Sequence, residues 1–316
     1  MSSTDKYVQA AREGVAWLHQ QQNPDGSLGD PAHVGMYCYK SAYALGVTGH
    51  VVEANRLLSW LKEEMLDTDG ALRDGAGTGM ATYRITWLAQ GAHRLGRFDV
   101  SVPLVPWLLD RQAECGGFRS NVEADHVETI CTWGAMAPVY AGHLHAGAAT
   151  AEFMESMIDQ QPHPAKFYLS MTLPGQLRTG EGAGFLDMTA PGQGYYHFGI
   201  PMLLLARLYG ATGEDAHLST ALKLFELTEQ CAEDAYAHTS AGKSMTAAAV
   251  LYSLTGEERM RDRAVQQADF LLSIQQADRS WTVAGNQDVG VRIDATAEFA
   301  IFLTETAAAL AAAGVR

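Results

Sequence analysis

A unit of two helices recurs six times along this 316-residue chain and constrains its fold more than any other feature. Each copy has an apolar helix with a bulky aromatic residue, a short turn rich in Gly, Asp and Gln, and a second helix of small residues. The aromatic positions are Trp17, Trp60, Trp107, Phe153, Phe225 and Phe270, at spacings of 43, 47, 46, 72 and 45 residues. Because such a unit cannot bury its apolar face alone, the copies must stack on one another. Six copies that close on themselves predict an all-α, closed (α/α)6 toroid around a central cavity.

The two helices of a unit differ in composition. Six outer helices, with charged residues on one face and an apolar stripe on the other, are predicted near residues 5–22, 51–65, 102–113, 146–160, 214–230 and 257–276. Six inner helices, apolar on nearly every face, are predicted near residues 34–48, 79–95, 126–142, 194–210, 239–255 and 293–313. A helix that is apolar all round is buried all round, so the inner helices should surround the axis. Several of them end in Thr-Gly, and glycine is typical of a helix C-terminus.

The one long spacing indicates an insertion, from Gln161 to Gly194. It is rich in Gly and Pro but retains apolar residues, among them Phe185 and Leu186. Long ordered loops in compact domains are uncommon and often cover a binding site. We therefore predict one domain over residues 1–316, with residues 161–194 as a lid over the mouth of the cavity. The alternative is a mobile surface segment.

Charge and composition exclude several function classes. The net charge is −14 and the acidic residues are spread along the chain, which disfavours nucleic acid and anionic membranes as partners. The N-terminus lacks the apolar stretch of a signal peptide, and no run reaches the roughly 20 apolar residues that span a bilayer. The expectation is a cytoplasmic protein with a small-molecule substrate. The spacing of the four cysteines suggests neither a disulfide framework nor a zinc ribbon.

The repeat turn resembles that of the terpenoid cyclases and protein prenyltransferases. The resemblance is carried by Arg12, Gly14, Trp17, Leu18, Gln21, Asp25, Gly26 and Leu28, and more weakly by Phe270, Leu271, Gln275 and Trp281. It extends over nearly the whole chain at the level of the repeat. It implies an α/α toroid with a central, largely apolar pocket.

The chain departs from both families at their reactive groups. The Asp-x-Asp-Asp acid motif of proton-initiated cyclases is absent, and Asp67-Thr68-Asp69 is followed by Gly70 in a repeat turn, which indicates a structural role. Cys38 matches the zinc-binding Cys of the prenyltransferases, but Met36 stands where their Asp would be. No cofactor is therefore expected, and zinc lacks a complete ligand set. Carbohydrate-active enzymes also use six-fold α/α barrels, and fold alone does not separate these classes.

The N-terminal ends of the inner helices should converge at one end of the ring, where unpaired N–H groups add a partial positive charge. Polar side chains are concentrated at these positions. Acid–base catalysis is predicted for Asp125, His126, Tyr196 and His197, because His exchanges protons near neutral pH and its neighbours can orient it. Substrate binding is predicted for Tyr39, Lys40, Tyr83, Glu128, Phe185, His238 and Asp294. The same helix starts carry Lys243, Arg292 and Glu298, to which no role is assigned.

Structural roles compete with each of these assignments. Asp125 and Asp294 could cap helices, and each histidine could be a satisfied structural group. Nucleophilic catalysis is disfavoured because there is no Gly-x-Ser-x-Gly elbow and no cysteine has a basic partner next to it in sequence. Buried structural thiols are expected, with Cys38 as the exception to watch.

Three functions remain open at this point. The first is a lyase or isomerase that cyclises, isomerises or dehydrates a largely apolar, terpenoid-like or polyketide-like molecule, with tyrosine faces stabilising developing positive charge. The second is a carbohydrate-active hydrolase, lyase or epimerase, which would use two carboxyl groups about 5–10 Å apart if it cleaves glycosides. The third is a non-catalytic binding toroid. A cavity lined by aromatic residues would favour the first function, facing carboxylates the second, and a filled cavity the third.

Overall fold

In a computed structural model of the chain, described for residues 4–34, 37–67, 73 and 80–315, helices dominate. In chain order they are α1 (Asp5–Gln20), α2 (Pro31–Val34), α3 (Ser41–Val47), α4 (Val51–Trp60), α5 (Ala81–Arg94), α6 (Phe98–Leu109), α7 (Met136–Tyr140), α8 (Leu144–Asp159), α9 (Tyr196–Thr212), α10 (Asp215–Glu229), α11 (Gly242–Thr255), α12 (Glu258–Ser273) and α13 (Val289–Ala312). A π-helical turn (Leu61–Met65) extends α4. Short 3-10 segments precede α7 (Thr129–Ala135) and α11 (Glu233–Tyr236 and Thr239–Ala241).

The helices pair as the repeat predicts. The outer helices are α1, α4, α6, α8, α10 and α12, and the inner helices are α3, α5, α7 with its 3-10 segment, α9, α11 and α13. Each inner helix contacts the next, and α13 contacts α3, which closes the ring. The two ends of the chain meet where α1 packs on α13, and the Tyr7 hydroxyl donates to Asp269 Oδ1 at 2.8 Å. The predicted all-α toroid is confirmed.

A glutamine holds the turn in three of the repeats. Its amide donates one hydrogen bond to the carbonyl four residues later and another to a carbonyl of the next outer helix. The acceptors are Gly26 and Glu53 for Gln22 (3.1 and 3.0 Å), Gly116 and Ala146 for Gln112 (3.0 and 2.9 Å), and Arg279 and Ala10 for Gln275 (2.8 and 3.1 Å). The family resemblance was drawn through Gln21, whose amide, among the described residues, bonds only the Trp17 carbonyl of its own helix at 3.4 Å. The resemblance is therefore one residue out of register at this position.

Four three-residue strands depart from the helical expectation. Strand β1 (His126–Glu128) pairs with β3 (Ser170–Thr172), and β2 (Lys166–Tyr168) pairs with β4 (Phe185–Asp187), both antiparallel. Residues 126–128 were predicted to begin an inner helix, and that prediction is wrong. Val127 is buried between two more exposed neighbours and lies opposite Met171, so an alternating strand forms and the helix begins at Thr129. Likewise, residues 37–40 lie outside α3, which begins at Ser41.

Aromatic side chains fill the axis of the ring. Trp87 of α5 lies 4.6 Å from Trp133 of the 3-10 segment and 5.7 Å from Phe302 of α13, measured between ring centroids. Helices α5 and α13 are not neighbours in the ring, because α3 stands between them, so the second contact crosses the axis. All three rings are buried. The middle of the toroid around these three rings is thus a packed core, and the central, largely apolar cavity predicted from the sequence is not found there.

Helix α13 passes a test of length and apolar composition for a membrane span, the only described helix to do so. It belongs to the inner ring, 61% of its most apolar window is buried, and it carries three glutamate or aspartate side chains that make ion pairs. This is the pattern of a core helix. Met36 and Thr68 to Gly70, which sequence analysis discussed, lie outside the described residues.

Candidate active site

The starts of the six inner helices bring eight polar or aromatic side chains to one end of the ring, and we call this set the mouth cluster. Its members are Tyr39 and Lys40 before α3, Tyr83 in α5, Glu128 before the 3-10 segment, Tyr196 in α9, Lys243 in α11, and Asp294 and Glu298 in α13. The convergence follows from the fold, because parallel inner helices present their N-terminal ends on the same side. The predicted concentration of polar groups at this end is therefore built from all six units.

Two lysines and two carboxylates form a network in the mouth cluster. Lys40 Nζ lies 3.0 Å from Asp294 Oδ2 and also donates a hydrogen bond to Glu298 Oε2. The other carboxylate oxygen of Glu298, Oε1, accepts a hydrogen bond from Lys243 Nζ. Both lysine side chains are at most 5% exposed. Buried ammonium groups need such partners, because an unpaired charge in a dry interior is strongly unfavourable. Glu298 therefore serves as the shared counter-ion of both lysines.

The network separates the pKa values of the two carboxyl groups. Burial raises the pKa of Glu298, but Lys243 and Lys40 outweigh it and lower that pKa to about 2. For Asp294, burial dominates: its pKa is raised despite the attraction of Lys40, and the negative charge of Glu298 adds to the rise. Burial lowers the pKa of Lys40, but its two carboxylate partners more than compensate, so Lys40 stays charged. Carboxyl pairs with opposite pKa shifts are typical of acid and base assignments, and Asp294 is the member whose protonated form is the more favoured.

Asp294 is also the more accessible of the two carboxyl groups. Its side chain is 25% exposed, against 14% for Glu298. Within the described residues, Asp294 Oδ1 has no hydrogen-bond partner, while Oδ2 bonds Lys40. Asp294 Oδ1 is itself buried, and a buried carboxyl oxygen without a partner disfavours the charged form, in keeping with the raised pKa.

Tyrosine faces surround the lysines. Lys40 Nζ lies 5.0 Å from the ring centre of Tyr39 and 5.7 Å from that of Tyr83. Lys243 Nζ lies 5.6 Å from the ring of Tyr83 and 5.9 Å from that of Tyr196. These contacts are in the range of cation–π attraction, so the lysines already occupy several aromatic faces. Tyr39 and Tyr196 are half-buried and can still present a surface outward.

His197 lies beside the cluster, at the start of α9. Its Nδ1 shares a 2.6 Å hydrogen bond with Thr129 Oγ1, and its ring lies 4.5 Å from that of Tyr196. Burial lowers the pKa of His197 to about 4, so the imidazole is neutral near pH 7. The predicted His197 and Tyr196 pair is thus brought together, with His197 in the form that accepts a proton.

His126 and Asp125 lie at the rim. His126 Nδ1 is 2.6 Å from Asp125 Oδ1, and its Nε2 is 3.5 Å from Glu128 Oε1. The Asp125 side chain is 87% exposed, so this pair is open to solvent. Of the predicted catalytic residues, His126 and Asp125 are therefore peripheral, and they reach the cluster through Glu128.

The predicted binding residues Phe185 and His238 make their contacts with residues outside the mouth cluster. Phe185 of β4 stacks near Tyr168 and the Lys166 ammonium within the insertion. His238 caps a 3-10 turn: its Nδ1 accepts from the Ser240 backbone N–H at 3.2 Å. These contacts give both residues a structural explanation.

Lys243 and Glu298 are the functional candidates that sequence analysis left without a role. Glu298 follows Asp294 by one helical turn and so lies on the same face of α13. That four-residue spacing is a local sequence signal that pairs Glu298 with Asp294. The partnership of Glu298 with Lys243 has no local signal, because the two residues meet only through the packing of α11 on α13.

Metal ligation finds no support in the described part of the chain, which contains no group of three or more His, Cys, Asp or Glu that could hold an ion. Cys38 is buried, and burial raises the pKa of its thiol to about 12. A thiolate at this position is therefore disfavoured, both as a ligand and as a nucleophile.

The insertion is anchored near the mouth. Strand β3 pairs with β1, which leads directly into the third inner helix segment, and the Leu169 carbonyl accepts from the Thr129 backbone N–H at 3.0 Å. The insertion thus lies against one side of the ring end that carries the mouth cluster. Its action as a lid stays a prediction.

The comparisons with known proteins bear on the fold. No family model matches the sequence, and no curated protein matches it. Among solved structures, D-mannose isomerase is similar at a TM-score of 0.69 and 13% identity over 95% of this chain and 97% of the other. An alpha-1,6-mannanase from Salegentibacter sp. HEL1_6, with bound alpha-1,6-mannotetrose, is similar at a TM-score of 0.67 and 11% identity, over 96% of this chain and 99% of the other. A type II terpene cyclase from Scytonema, with geranylgeranyl dihydroxybenzoate, is similar at a TM-score of 0.61 and 12% identity, over 97% of this chain and 99% of the other.

These similarities establish the (α/α)6 toroid over nearly the whole chain. The resemblance to terpenoid cyclases is one of several, since proteins named for sugar chemistry share the same architecture. At such low identity the likeness concerns fold, and function has to be argued from the site.

Proposed function

We propose that this protein is an acid–base enzyme that acts on a sugar-sized, polyhydroxylated molecule bound at the mouth cluster, with Asp294 as the proton-transferring group. The observation that carries the proposal is the Asp294–Glu298 pair. Both carboxylates contact Lys40 Nζ, so their nearest oxygens lie within about 5.5 Å of each other, yet their pKa values are shifted in opposite directions.

Each residue then has a distinct task. Asp294 donates a proton to a substrate oxygen, or removes one, through its carboxyl group, whose side chain is 25% exposed. Glu298 stays ionised and holds the two lysines in place, so it is a positioning residue. The neutral imidazole of His197, beside Tyr196, is the group assigned to accept a proton. The half-buried rings of Tyr39 and Tyr196 offer faces on which a sugar ring can stack.

A polar substrate fits the shape of the site better than the largely apolar one favoured by sequence analysis. Trp87, Trp133 and Phe302 pack against each other on the axis, so the space below the mouth cluster is occupied. A polyprenyl chain needs a deep apolar cavity, whereas a monosaccharide needs a shallow polar site. Two of the similar structures are named for mannose isomerisation and mannan cleavage, which supports the same choice.

Cyclisation of a terpenoid remains the second candidate, because one observation favours it. A carboxylic acid with a raised pKa beside several aromatic faces is the arrangement needed to protonate an alkene and stabilise the resulting cation. The lysines already cover those faces, however, and repel a carbocation.

The test is a substrate screen with a matched pair of variants. Wild-type protein is incubated in D2O with free monosaccharides, unsaturated uronyl disaccharides and aryl glycosides, and NMR follows deuterium incorporation and product formation. We expect turnover of at least one sugar, and Asp294→Asn should lower the rate by about 10²–10⁴-fold, the range of general acid–base catalysis. Asp262→Asn, at an exposed position on α12, is the control and should keep the wild-type rate.

The alternatives give different results in the same screen. Turnover of geranylgeranyl substrates, but of no sugar, would overturn the proposal in favour of a cyclase. Binding of sugars without turnover would indicate a non-catalytic toroid, the function that a filled axis favours. An active Asp294→Asn variant would remove Asp294 from the chemistry even if a sugar is the substrate.

A further inference from the structure

A second cluster of charged residues lies at the opposite end of the ring, where the inner helices terminate. Glu305 of α13 accepts hydrogen bonds from Tyr43 and from Arg94, whose Nη1 is 2.7 Å away, and its other carboxylate oxygen bonds Arg207. Arg207 also donates to the Tyr140 hydroxyl at 2.6 Å. Glu305 follows Asp294 by eleven residues on one helix, which corresponds to about 16 Å along its axis. The packed core around Trp87 separates the two clusters.

An open cavity of about 520 Å³ adjoins this cluster. Arg94, Arg207, Tyr140 and Glu305 form one side, and the other walls are apolar. The apolar lining comes from Ala206, Ala211, Val250, Leu254 and Ala308. Pockets of roughly 300–1,000 Å³ with mostly apolar walls and a few polar groups are typical of small-molecule sites. Leu254 is 37% exposed, which leaves an apolar surface open to an occupant.

The charges of the cluster leave an excess of one positive charge. Two guanidinium groups face one carboxylate, and both oxygens of that carboxylate are already hydrogen-bonded. Arg94 uses Nη1 for its bonds to Glu305 and Tyr43, and the described residues supply no hydrogen-bond acceptor for its Nη2 and Nε. Its side chain is 42% exposed. An anion could therefore bind Arg94 in bidentate fashion without displacing Glu305.

We propose that this cavity is a second ligand site, which binds a monoanionic carboxylate with a short hydrocarbon body. The carboxylate pairs with Arg94, and the hydrocarbon lies on the walls formed by α9 and α11. A single excess charge suits a monoanion, since a dianion would stand beside Glu305 without full compensation. The apolar walls exclude a fully hydrated ion as the preferred occupant. This site is independent of the mouth cluster, because the packed core around Trp87 lies between them.

The experiment uses octanoate as the probe, with acetate and octanamide as matched controls, in isothermal titration calorimetry on the full chain. Octanoate should bind at one equivalent per chain with millimolar or better affinity. Acetate lacks the hydrocarbon and octanamide lacks the charge, so each should bind at least about tenfold more weakly. Octanoate should also raise the melting temperature.

Two variants locate the binding. Arg94→Gln removes the excess charge, and Ala211→Trp fills the cavity from an exposed position on α9, so each should weaken octanoate binding by about tenfold or more. Arg259→Gln is the matched control, because Arg259 is similarly exposed and ion-paired but lies on α12. Equal binding of octanoate by Arg94→Gln and wild type, or no heat of binding with octanoate at about 10 mM, would overturn the proposal. Ligand binding that survives Ala211→Trp would place the probe elsewhere and overturn it as well.

Discussion

Asp294 and Glu298 are chemically similar side chains one helical turn apart, and their surroundings give them different protonation behaviour. Glu298 contacts two buried ammonium groups, whereas Asp294 contacts one and keeps an oxygen without a partner. Electrostatic effects of this kind depend on distances of a few ångströms in a low-dielectric environment. At the residue scale, the lysines therefore decide which carboxyl group can carry a proton.

Replacing Glu298 by Gln tests this coupling. The variant loses the shared counter-ion of Lys40 and Lys243, so we expect the free energy of unfolding to fall by about 2–5 kcal/mol in urea titrations. Because the negative charge of Glu298 helps to raise the pKa of Asp294, that pKa should fall as well, as measured by carboxyl ¹³C NMR. Glu258→Gln, at an exposed site on α12, should change neither quantity. An unchanged Asp294 titration in Glu298→Gln would contradict the coupling.

His197 predicts a pH dependence of stability. Its pKa is lowered from 6.5 to about 4 in the folded state, so between these values the unfolded chain binds more protons than the folded one. Stability therefore rises with pH through this window, is complete above pH 6.5 and is lost as the pH falls toward 4. His197→Gln should remove about 3 kcal/mol of this change, measured by urea titration at several pH values. His145→Gln, exposed on α8, should keep the wild-type slope; a wild-type slope in His197→Gln would refute the assignment.

Helix pairs are held together less by local preference than by contacts that pass from one unit to the next. The turn glutamines link their own turn to the following outer helix, and Gln275 does so across the point where the chain ends meet. Small residues let the inner helices approach closely: a Cβ on Gly199 would lie 2.4 Å from the Ser244 backbone nitrogen. At the scale of the helices, neighbouring repeat units are therefore joined by specific contacts, and the glutamines that make these contacts lie in the turns.

The neighbouring residues Gln21 and Gln22 allow a direct test of the contact between the turn and the next outer helix. Gln22→Leu removes two hydrogen bonds and leaves two carbonyl groups to find other partners, so we expect a loss of about 1–3 kcal/mol in unfolding free energy. Gln21→Leu removes one long bond within its own helix and should cost much less. Chemical denaturation of the two variants in parallel measures the difference. Equal losses would show that the turn glutamine has no special role.

Closure of the ring is a property of the whole molecule. Gly14 in α1 lies against Trp281, which follows α12 and is fully buried. A Cβ at Gly14 would lie 2.3 Å from Trp281 Cζ3, so the first and last units meet without room for a methyl group.

Gly14→Ala tests the fit at this closure. Helix propensity alone favours Ala by about 1 kcal/mol, but the clash with a buried indole should reverse the sign and destabilise the protein by about 1–3 kcal/mol. The melting temperature should then fall by several degrees in differential scanning calorimetry. Gly180→Ala, in the insertion with no atom within 4 Å of the added Cβ, should be neutral. A Gly14→Ala variant more stable than wild type would mean that Trp281 moves aside.

Much of the architecture could be predicted from the chain, because burial patterns are local and periodic. The spacing of the aromatic residues and the contrast between charged and small-residue helices predict six outer and six inner helices and their closure. Each has a counterpart among the described residues, where the short helix α2 is additional. The exceptions have tertiary causes. Residues 126–128 form a strand because a partner strand in the insertion, some forty residues later, lies beside them.

The sequence by itself determined the ring of helices and the end of it at which polar groups gather, since helix periodicity and helix polarity are properties of the chain alone. The tertiary structure decided the chemistry available there. Lys40 and Lys243 reach Glu298 from two other helices, and this contact separates the pKa values of the two carboxyl groups. Trp87 and Phe302 meet across the axis and occupy the space beside the mouth cluster. Both outcomes depend on distances between helices far apart in sequence, which no local pattern encodes.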